Sequence, residues 1–128
     1  MKTILITGAT SGLGLLLSRY YDSKGYNILA TGKDKKKLTN LKKELSKKNN
    51  KNCYSIDLEQ NKNYEKFLKI IHNHSMKFDT IIHCLGGGFG LHNPIIGRKE
   101  LNFLFNINVS SAVGINKLVL EKKNIIKI

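Results

Sequence analysis

The sequence is short of acidic residues and, among its basic residues, short of arginine. Nine Asp and Glu residues stand against 22 Lys and Arg residues, which gives a formal net charge of +13, and only Arg19 and Arg98 are arginines. Proteins that recognise bases and phosphates favour arginine forks and stacking aromatic side chains, and neither is clustered here. A surface rich in lysine and asparagine is also what an AT-rich genome produces. We therefore expect no nucleic-acid partner, although the charge leaves a basic nucleic-acid-binding protein as an alternative.

Cysteines and long apolar segments are also scarce. The two cysteines, Cys53 and Cys84, allow at most one disulfide. Because the N-terminus lacks the pattern of a secretion signal, we interpret them as reduced thiols of a cytoplasmic protein. Uninterrupted apolar runs are far shorter than the roughly 20 residues that a membrane helix needs, so we expect no membrane partner. The histidines and cysteines lack metal-ligand spacing, and no metal is predicted.

Short β-branched runs alternate with helical segments along the chain, whose 128 residues suffice for one domain but not for two. We predict strands at 2–7, 26–31, 53–58, 78–85 and 124–128. We predict helices at 12–24 (with one apolar face), from a cap at Asp34, at 63–73 and at 99–122, the last as one long helix or two joined ones. Residues 49–52 are predicted to form a polar loop and residues 86–90 a glycine-rich loop. This alternation favours right-handed crossovers and a Rossmann-like, doubly wound parallel sheet of about five strands in one α/β domain, 1–128.

The turn between the first strand and the first helix reads T-G-A-T-S-G-L-G at residues 7–14. In such a motif the first glycine permits the tight turn, the second lets the main chain approach a pyrophosphate, and the third lets the helix pack on the strand. The N–H groups at the start of the helix then face the phosphates. We therefore predict dinucleotide binding by the loop residues Gly8, Thr10, Ser11, Gly12, Leu13 and Gly14.

The T-G-x-x-x-G-x-G spacing, placed in this β-α context, resembles the first half of a classical short-chain dehydrogenase/reductase. The resemblance covers residues 2–128 and implies a fold of about seven parallel strands, of which the C-terminal part is missing here. It implies hydride transfer between an alcohol or carbonyl substrate of small size and NAD(H) or NADP(H). It also implies a homo-oligomer for the full-length protein.

In this family the end of the second strand sets the choice of cofactor. An acidic residue there accepts hydrogen bonds from the ribose of NAD and repels a 2′-phosphate. Gly32 stands at that position and removes the repulsion, and Lys33 follows with a cation, so the resemblance implies that NADP(H) is preferred over NAD(H). Ser11, where many NADP-dependent members have a basic residue, and the nearby Asp34 point the other way. Lys33 is alternatively an ordinary surface lysine.

Two further strand ends correspond to cofactor-binding positions of the family. Asp57 and Leu58 match the Asp and its neighbour that hold the adenine, although an Asp here also suits a helix N-cap. The fourth strand of family members ends N-N-A-G, whereas this chain has His83, Cys84, Leu85 and Gly86, of which only Gly86 matches. The resemblance places Cys84, Leu85 and Gly86 along the cofactor groove. His83 is expected to be a hydrogen-bonded residue of the strand end rather than a catalytic base.

Asn108 matches the catalytic Asn of the family, which helps to hold a water in the proton relay. Asn106, two residues earlier, leaves the register open, and a plain helix-surface polar residue is the alternative. The family's Ser and Tyr-x-x-x-Lys follow the fifth strand and have no counterpart here. Tyr20 and Lys24 fit that spacing, but they lie on the first helix, so we interpret the match as coincidence. We expect a cofactor-binding half without turnover of its own, the alternative being a non-catalytic nucleotide-binding module or a degenerate homologue.

Overall fold

The computed structural model describes residues 2–86 and 90–122. Its strands are β1 (Thr3–Thr7), β2 (Asn27–Gly32), β3 (Cys53–Ser55) and β4 (Thr80–His83). Its helices are α1 (Gly12–Ser23), α2 (Lys35–Glu44), α3 (Lys47–Asn50), α4 (Asn61–Asn73), α5 (Arg98–Phe105) and α6 (Ser111–Lys122), with a π-helical turn, Asn106–Ser110, between the last two. Strands β3 and β4 are shorter than the predicted 53–58 and 78–85.

The strands form one parallel sheet in the order β3-β2-β1-β4. Ile4 pairs with Ile28 of β2 on one side, and Leu5 pairs with Ile81 of β4 on the other. The chain therefore reverses its direction of winding next to β1, and the carboxyl end of β1 lies at the switch point where ligands bind in such sheets. The predicted parallel α/β fold is confirmed with four strands in the described residues. The predicted fifth strand, 124–128, and residues 87–89 of the predicted glycine-rich loop lie outside them.

Alternate side chains of the sheet enter two hydrophobic clusters, one on each face. Ile4 and Ile6 face the layer of α1 and α2, whereas Leu5 between them faces the layer of α4 and α6. Phe67 is fully buried in the second layer. Because burying one such side chain contributes about 1.5–3 kcal/mol, the two clusters hold the helices on either side and fix where each strand ends.

The prediction of a polar loop at residues 49–52 is only partly correct, because residues 49 and 50 belong to α3 and only residues 51 and 52 form a turn. Asn49 is fully buried at the end of the short helix α3. Its Oδ1 accepts a hydrogen bond from the backbone N–H of Ile28 at 2.8 Å, and its Nδ2 donates to the Tyr26 carbonyl at 3.0 Å and to Asp22. A buried amide is tolerated when its donors and acceptor are satisfied. In a sequence such a residue looks the same as a solvated asparagine.

The apolar face predicted for the first helix is also only partly correct. Leu13, Leu16 and Tyr20 are exposed, at 65%, 62% and 54%. The side that enters the core carries the small residues Gly14 and Ser18, and the Ser18 hydroxyl donates to the Gly14 carbonyl at 2.8 Å. Small residues let α1 approach the sheet closely, and Leu15 and Tyr21 pack against the cluster at the edges of this contact.

The segment Arg98–Glu121 runs as one continuous helical stretch of 24 residues with a mean hydropathy of 1.3 over its most apolar window, of which 22% is buried. By length and composition alone it could cross a membrane, which the short apolar runs of the sequence did not indicate. A core helix of a globular domain passes the same test. Here Ile107, Ile115 and Val119 are buried against the sheet side of the domain.

Candidate nucleotide-binding site

The glycine-rich turn between β1 and α1 lies at the switch point of the sheet. The backbone N–H of Ala9 donates to the Thr31 carbonyl of β2 at 2.8 Å, and the N–H of Cys84 donates to the Thr7 carbonyl at 3.0 Å. Main-chain hydrogen bonds thus attach the turn to the strand ends on both sides. The turn leads into Ser11, the N-cap residue of α1, whose side chain makes no capping hydrogen bond in the described structure.

Two glycines of the turn have different environments. Gly12, the first residue of α1, has a φ of +51°, and a Cβ built there would meet no described atom within 4 Å. A Cβ on Gly14 would instead overlap the Gly8 carbonyl oxygen. Gly14 therefore packs the helix onto the turn, whereas Gly12 borders open space. The first N–H groups of a helix have no intrahelical partner, so this open space is suited to an anion.

At the end of β2, Gly32 packs directly against the glycine-rich turn. A side chain at position 32 would collide with Thr10, since a Cβ there would overlap Thr10 Cγ2 and lie 2.8 Å from Thr10 Oγ1. Asp34 caps α2 by accepting from the Lys37 backbone N–H at 3.0 Å, and this hydrogen bond lowers the pKa of its carboxyl group. Position 32 thus carries no acidic residue, and Gly32 fits closely beside the Thr10 side chain.

Lys33 is paired with a carboxylate, Glu59, that the sequence pattern does not indicate. Its Nζ lies 3.1 Å from Glu59 Oε1, and this hydrogen bond, followed by the charges of Glu59 and Asp57, raises the pKa of the lysine. Glu59 follows β3, and the carboxyl ends of β2 and β3 are neighbours in the sheet. Only the strand order, read together with the turn after Asp57, would have indicated this pair.

A groove of about 390 Å³ lies between α1 and α2 beside the glycine-rich turn. Thr10, Ser11 and Gly12 line one wall, and Lys37 and Arg19 contribute from the two helices. Arg19 forms a two-pronged pair with Glu44, with Nε–Oε2 and Nη2–Oε1 distances of 2.5 and 2.9 Å. The groove is therefore lined by a cationic residue, Lys37, and by the start of α1.

Asp57 organises the turn after β3 rather than capping α4, whose N-cap is Gln60. Its Oδ1 accepts from the backbone N–H of Glu59 at 3.0 Å. Leu58, by contrast, is buried at 5% exposure in the cluster beneath α4. The half-buried Asp57 carboxylate thus stays at the carboxyl edge of the sheet, on the same edge as Gly32.

The end of β4 brings together the remaining predicted residues. His83 is hydrogen-bonded, as predicted, with Nε2 at 2.9 Å from Asn116 Oδ1 and Nδ1 at 3.5 Å from Thr7 Oγ1. Cys84 is a half-buried free thiol whose pKa is raised by burial, and Leu85 packs against the core. These contacts give His83 a structural role at the strand end.

The π-helical turn sets the position of Asn108. Its Nδ2 donates to the Leu104 carbonyl at 2.9 Å, and a Cβ built on Gly86 would lie 2.5 Å from its Oδ1. The Asn106 carbonyl instead accepts from the Ser111 hydroxyl at 2.7 Å. Such turns insert a residue into a helix and often occur at functional sites. Asn108 is therefore the asparagine that touches the end of the β4 segment at Gly86.

A sequence model of the short chain dehydrogenases matches residues 2–125. The chain belongs to this family. Among curated members, a diacetyl reductase [(S)-acetoin forming] of Staphylococcus epidermidis is 31% identical over 111 residues, which cover 84% of this chain and 42% of that protein. The NADP-dependent 3-hydroxy acid dehydrogenase YdfG of Escherichia coli is 27% identical over 88 residues, which cover 69% of this chain and 35% of that protein.

The fold agrees with solved short chain dehydrogenase structures. A short-chain dehydrogenase/reductase from Vibrio parahaemolyticus superposes with a TM-score of 0.69 at 26% identity, covering 92% of this chain and 53% of that one. This short chain dehydrogenase sequence therefore spans between a third and about half of the length of these relatives. The glycine-rich turn, the Gly32–Lys33 turn, Asp57 and Asn108 all lie within the matched residues.

Proposed function

We propose that this chain is the cofactor-binding half of a short chain dehydrogenase that interconverts a small alcohol and its carbonyl compound with NAD(P)(H). The observation that carries the proposal is Gly12. It combines a positive φ with open space at the start of α1, beside a turn that main-chain hydrogen bonds attach to β2 and β4. That arrangement suits a pyrophosphate held by backbone N–H groups.

In this proposal the chain's own residues bind and orient the cofactor. The N–H groups of the first turn of α1 hold the pyrophosphate, and the Asp57 carboxylate accepts from the adenine amino group. Gly86, at the end of the β4 segment, is proposed to border the cofactor without a side chain. When bound, the cofactor supplies or accepts the hydride, and the chain keeps it at the carboxyl edge of the sheet.

A preference for NADP(H) over NAD(H) is part of the proposal. It is supported by Gly32, which offers no carboxylate to repel a 2′-phosphate, and by the ammonium groups of Lys33 and Lys37 nearby. The name of the Escherichia coli relative, an NADP-dependent dehydrogenase, is consistent with it.

Asn108 is proposed to act in the proton relay of the whole enzyme, supported by its place in the π-helical turn beside Gly86. The family's Ser and Tyr-x-x-x-Lys set has no counterpart in its usual place, so these 128 residues are proposed to bind nucleotide without turnover. A cytoplasmic location and a homo-oligomeric full-length enzyme complete the proposal.

The test compares two glycines that share a positive φ and open space. Gly12→Ala and Gly25→Ala each place a Cβ where no described atom lies within 4 Å, at φ values of +51° and +82°. Each change should destabilise the fold by about 1 kcal/mol through backbone strain. Only Gly12→Ala should weaken NADPH and NADH binding, by about tenfold or more, equivalent to roughly 1.4 kcal/mol.

Binding is measured by isothermal titration calorimetry, and stability by urea unfolding of the same samples. Gly25 lies two residues beyond the end of α1, at the opposite edge of the sheet, so its variant is the control for strain. Equal affinities in the two variants and the parent chain, or no detectable binding to the parent, would contradict the proposal.

A further inference from the structure

The turn after β3 carries two carboxylates close to the one ammonium at the end of β2. Lys33 Nζ lies 3.1 Å from Glu59 Oε1, and the charge of Asp57 also acts on the lysine. The Lys33 side chain is 62% exposed, whereas that of Glu59 is only 19% exposed. The carboxylate is thus the more buried partner of the pair, and the lysine is the more exposed one.

The position of Glu59 is set by the backbone rather than by chance packing. Its N–H donates to Asp57 Oδ1 at 3.0 Å, which closes the turn that follows β3. The N–H of Ile56 donates to the Gly32 carbonyl at 2.9 Å, which fixes that turn against the end of β2. These two hydrogen bonds tie the strand ends together and hold the backbone of Glu59 close to that of Lys33.

A 2′-phosphate at the end of β2 would therefore compete with Glu59 for the same ammonium. It would also meet the negative charges of Glu59 and Asp57. The groove beside Ser11 and Gly12 is lined by a second cationic residue, Lys37.

We propose that Glu59 is a specificity-determining residue, which holds the Lys33 ammonium against itself and so reduces the chain's discrimination between NADP(H) and NAD(H). The inference rests on the proposed nucleotide-binding function. Glu59 lies outside the glycine-rich turn, and in this proposal it controls how strongly a 2′-phosphate is preferred. Removing the charge of Glu59 should release Lys33 and sharpen the preference.

The experiment measures the affinities of the chain for adenosine 2′,5′-bisphosphate and for AMP, which differ only in the 2′-phosphate. Glu59→Gln should raise the ratio of the two affinities about two- to fivefold, the size expected for an exposed ion pair. Glu65→Gln removes the same charge from an exposed position on α4, without a contact to Lys33 among the described ion pairs, and should leave the ratio unchanged. Circular dichroism and thermal unfolding verify that each variant is folded.

The same measurement in a Lys33→Ala background distinguishes the release of Lys33 from the removal of direct repulsion between Glu59 and the 2′-phosphate. In Lys33→Ala, adding Glu59→Gln should give little further gain in the ratio, because the residue through which Glu59 acts is gone. An equal gain with and without Lys33, or an equal gain in Glu65→Gln, would overturn the role assigned to Glu59.

The two proposals can fail separately. If the parent chain binds both nucleotides and Glu59→Gln leaves their ratio unchanged, only the inference about Glu59 is lost. If the parent chain binds neither nucleotide, the nucleotide-binding function is wrong and the inference falls with it.

Discussion

The glycine-rich turn and the long helical stretch α5–α6 reach the same edge of the sheet, but they are built differently. The turn is held by main-chain hydrogen bonds, and Gly14 fits where a single Cβ would overlap the Gly8 carbonyl. The long stretch instead exposes a row of apolar side chains four residues apart: Leu101, Phe105, Val109 and Val113. The conformation of the turn is thus determined by residues of the turn and of the neighbouring strand ends. Whether the exposed apolar row is covered depends instead on the rest of the protein or on a partner.

The largest effect should come from the close-packed turn. Gly14→Ala forces its Cβ into the Gly8 carbonyl oxygen, a backbone atom that cannot move aside without shifting β1. We expect a loss of about 3 kcal/mol or more in the free energy of unfolding, at the upper end for overpacking. Urea unfolding followed by circular dichroism measures the loss. Gly12→Ala, which meets open space, is the matched control, and equal losses in the two variants would show that Gly14 is not a packing position.

A medium effect, dependent on pH, should come from the polar network that ties α1 to α3. The Asp22 carboxylate accepts from the Ser46 N–H at 3.0 Å and from the Ser46 hydroxyl and Asn49 amide, both at 2.6 Å. Burial raises its pKa, but the hydrogen bonds from Ser46 and Asn49 outweigh burial and hold the pKa below the ordinary 3.8. Its folded pKa is below its unfolded pKa, so its stabilisation is present above about pH 3.8 and is lost as the pH falls through the folded pKa.

Asp22→Asn places an amide N–H where donors point, and should reduce stability at pH 7 by about 1 kcal/mol. The difference between parent and variant should shrink as the pH is lowered below 4. Urea unfolding at a series of pH values measures it, with Glu65→Gln as a control on an exposed carboxylate. A difference that stays constant from pH 7 to pH 3 would show that the charge of Asp22 contributes nothing.

The difference between local contacts and contacts with distant residues also explains which features could be predicted from the sequence. The parallel fold and the glycine-rich turn were predictable, because glycine spacing and hydrophobic period act within a few residues of each other. The burial of Asn49, the pairing of Lys33 with Glu59 and the outward side of Leu16 were not. Each depends on contacts with residues 21 or more positions away or on the close approach of a helix to the sheet. Sequence patterns record which residues are polar, but not which of them the fold buries.

The smallest effect should come from the exposed row on the long helix. Val113 is 61% exposed and Ile115, two residues later, is 1% exposed in the core beneath α6. Val113→Ala should change the free energy of unfolding by less than about 0.5 kcal/mol, as expected for a surface position. Ile115→Ala, the matched control on the same helix, should cost about 2–4 kcal/mol because it leaves a cavity. Unfolding is measured at several protein concentrations, since association through the row would make the midpoint rise with concentration. A loss above 1 kcal/mol in Val113→Ala that grows with protein concentration would show that a second copy of the chain covers the apolar row. The row would then be exposed only in the monomer, and only there would it differ from the glycine-rich turn.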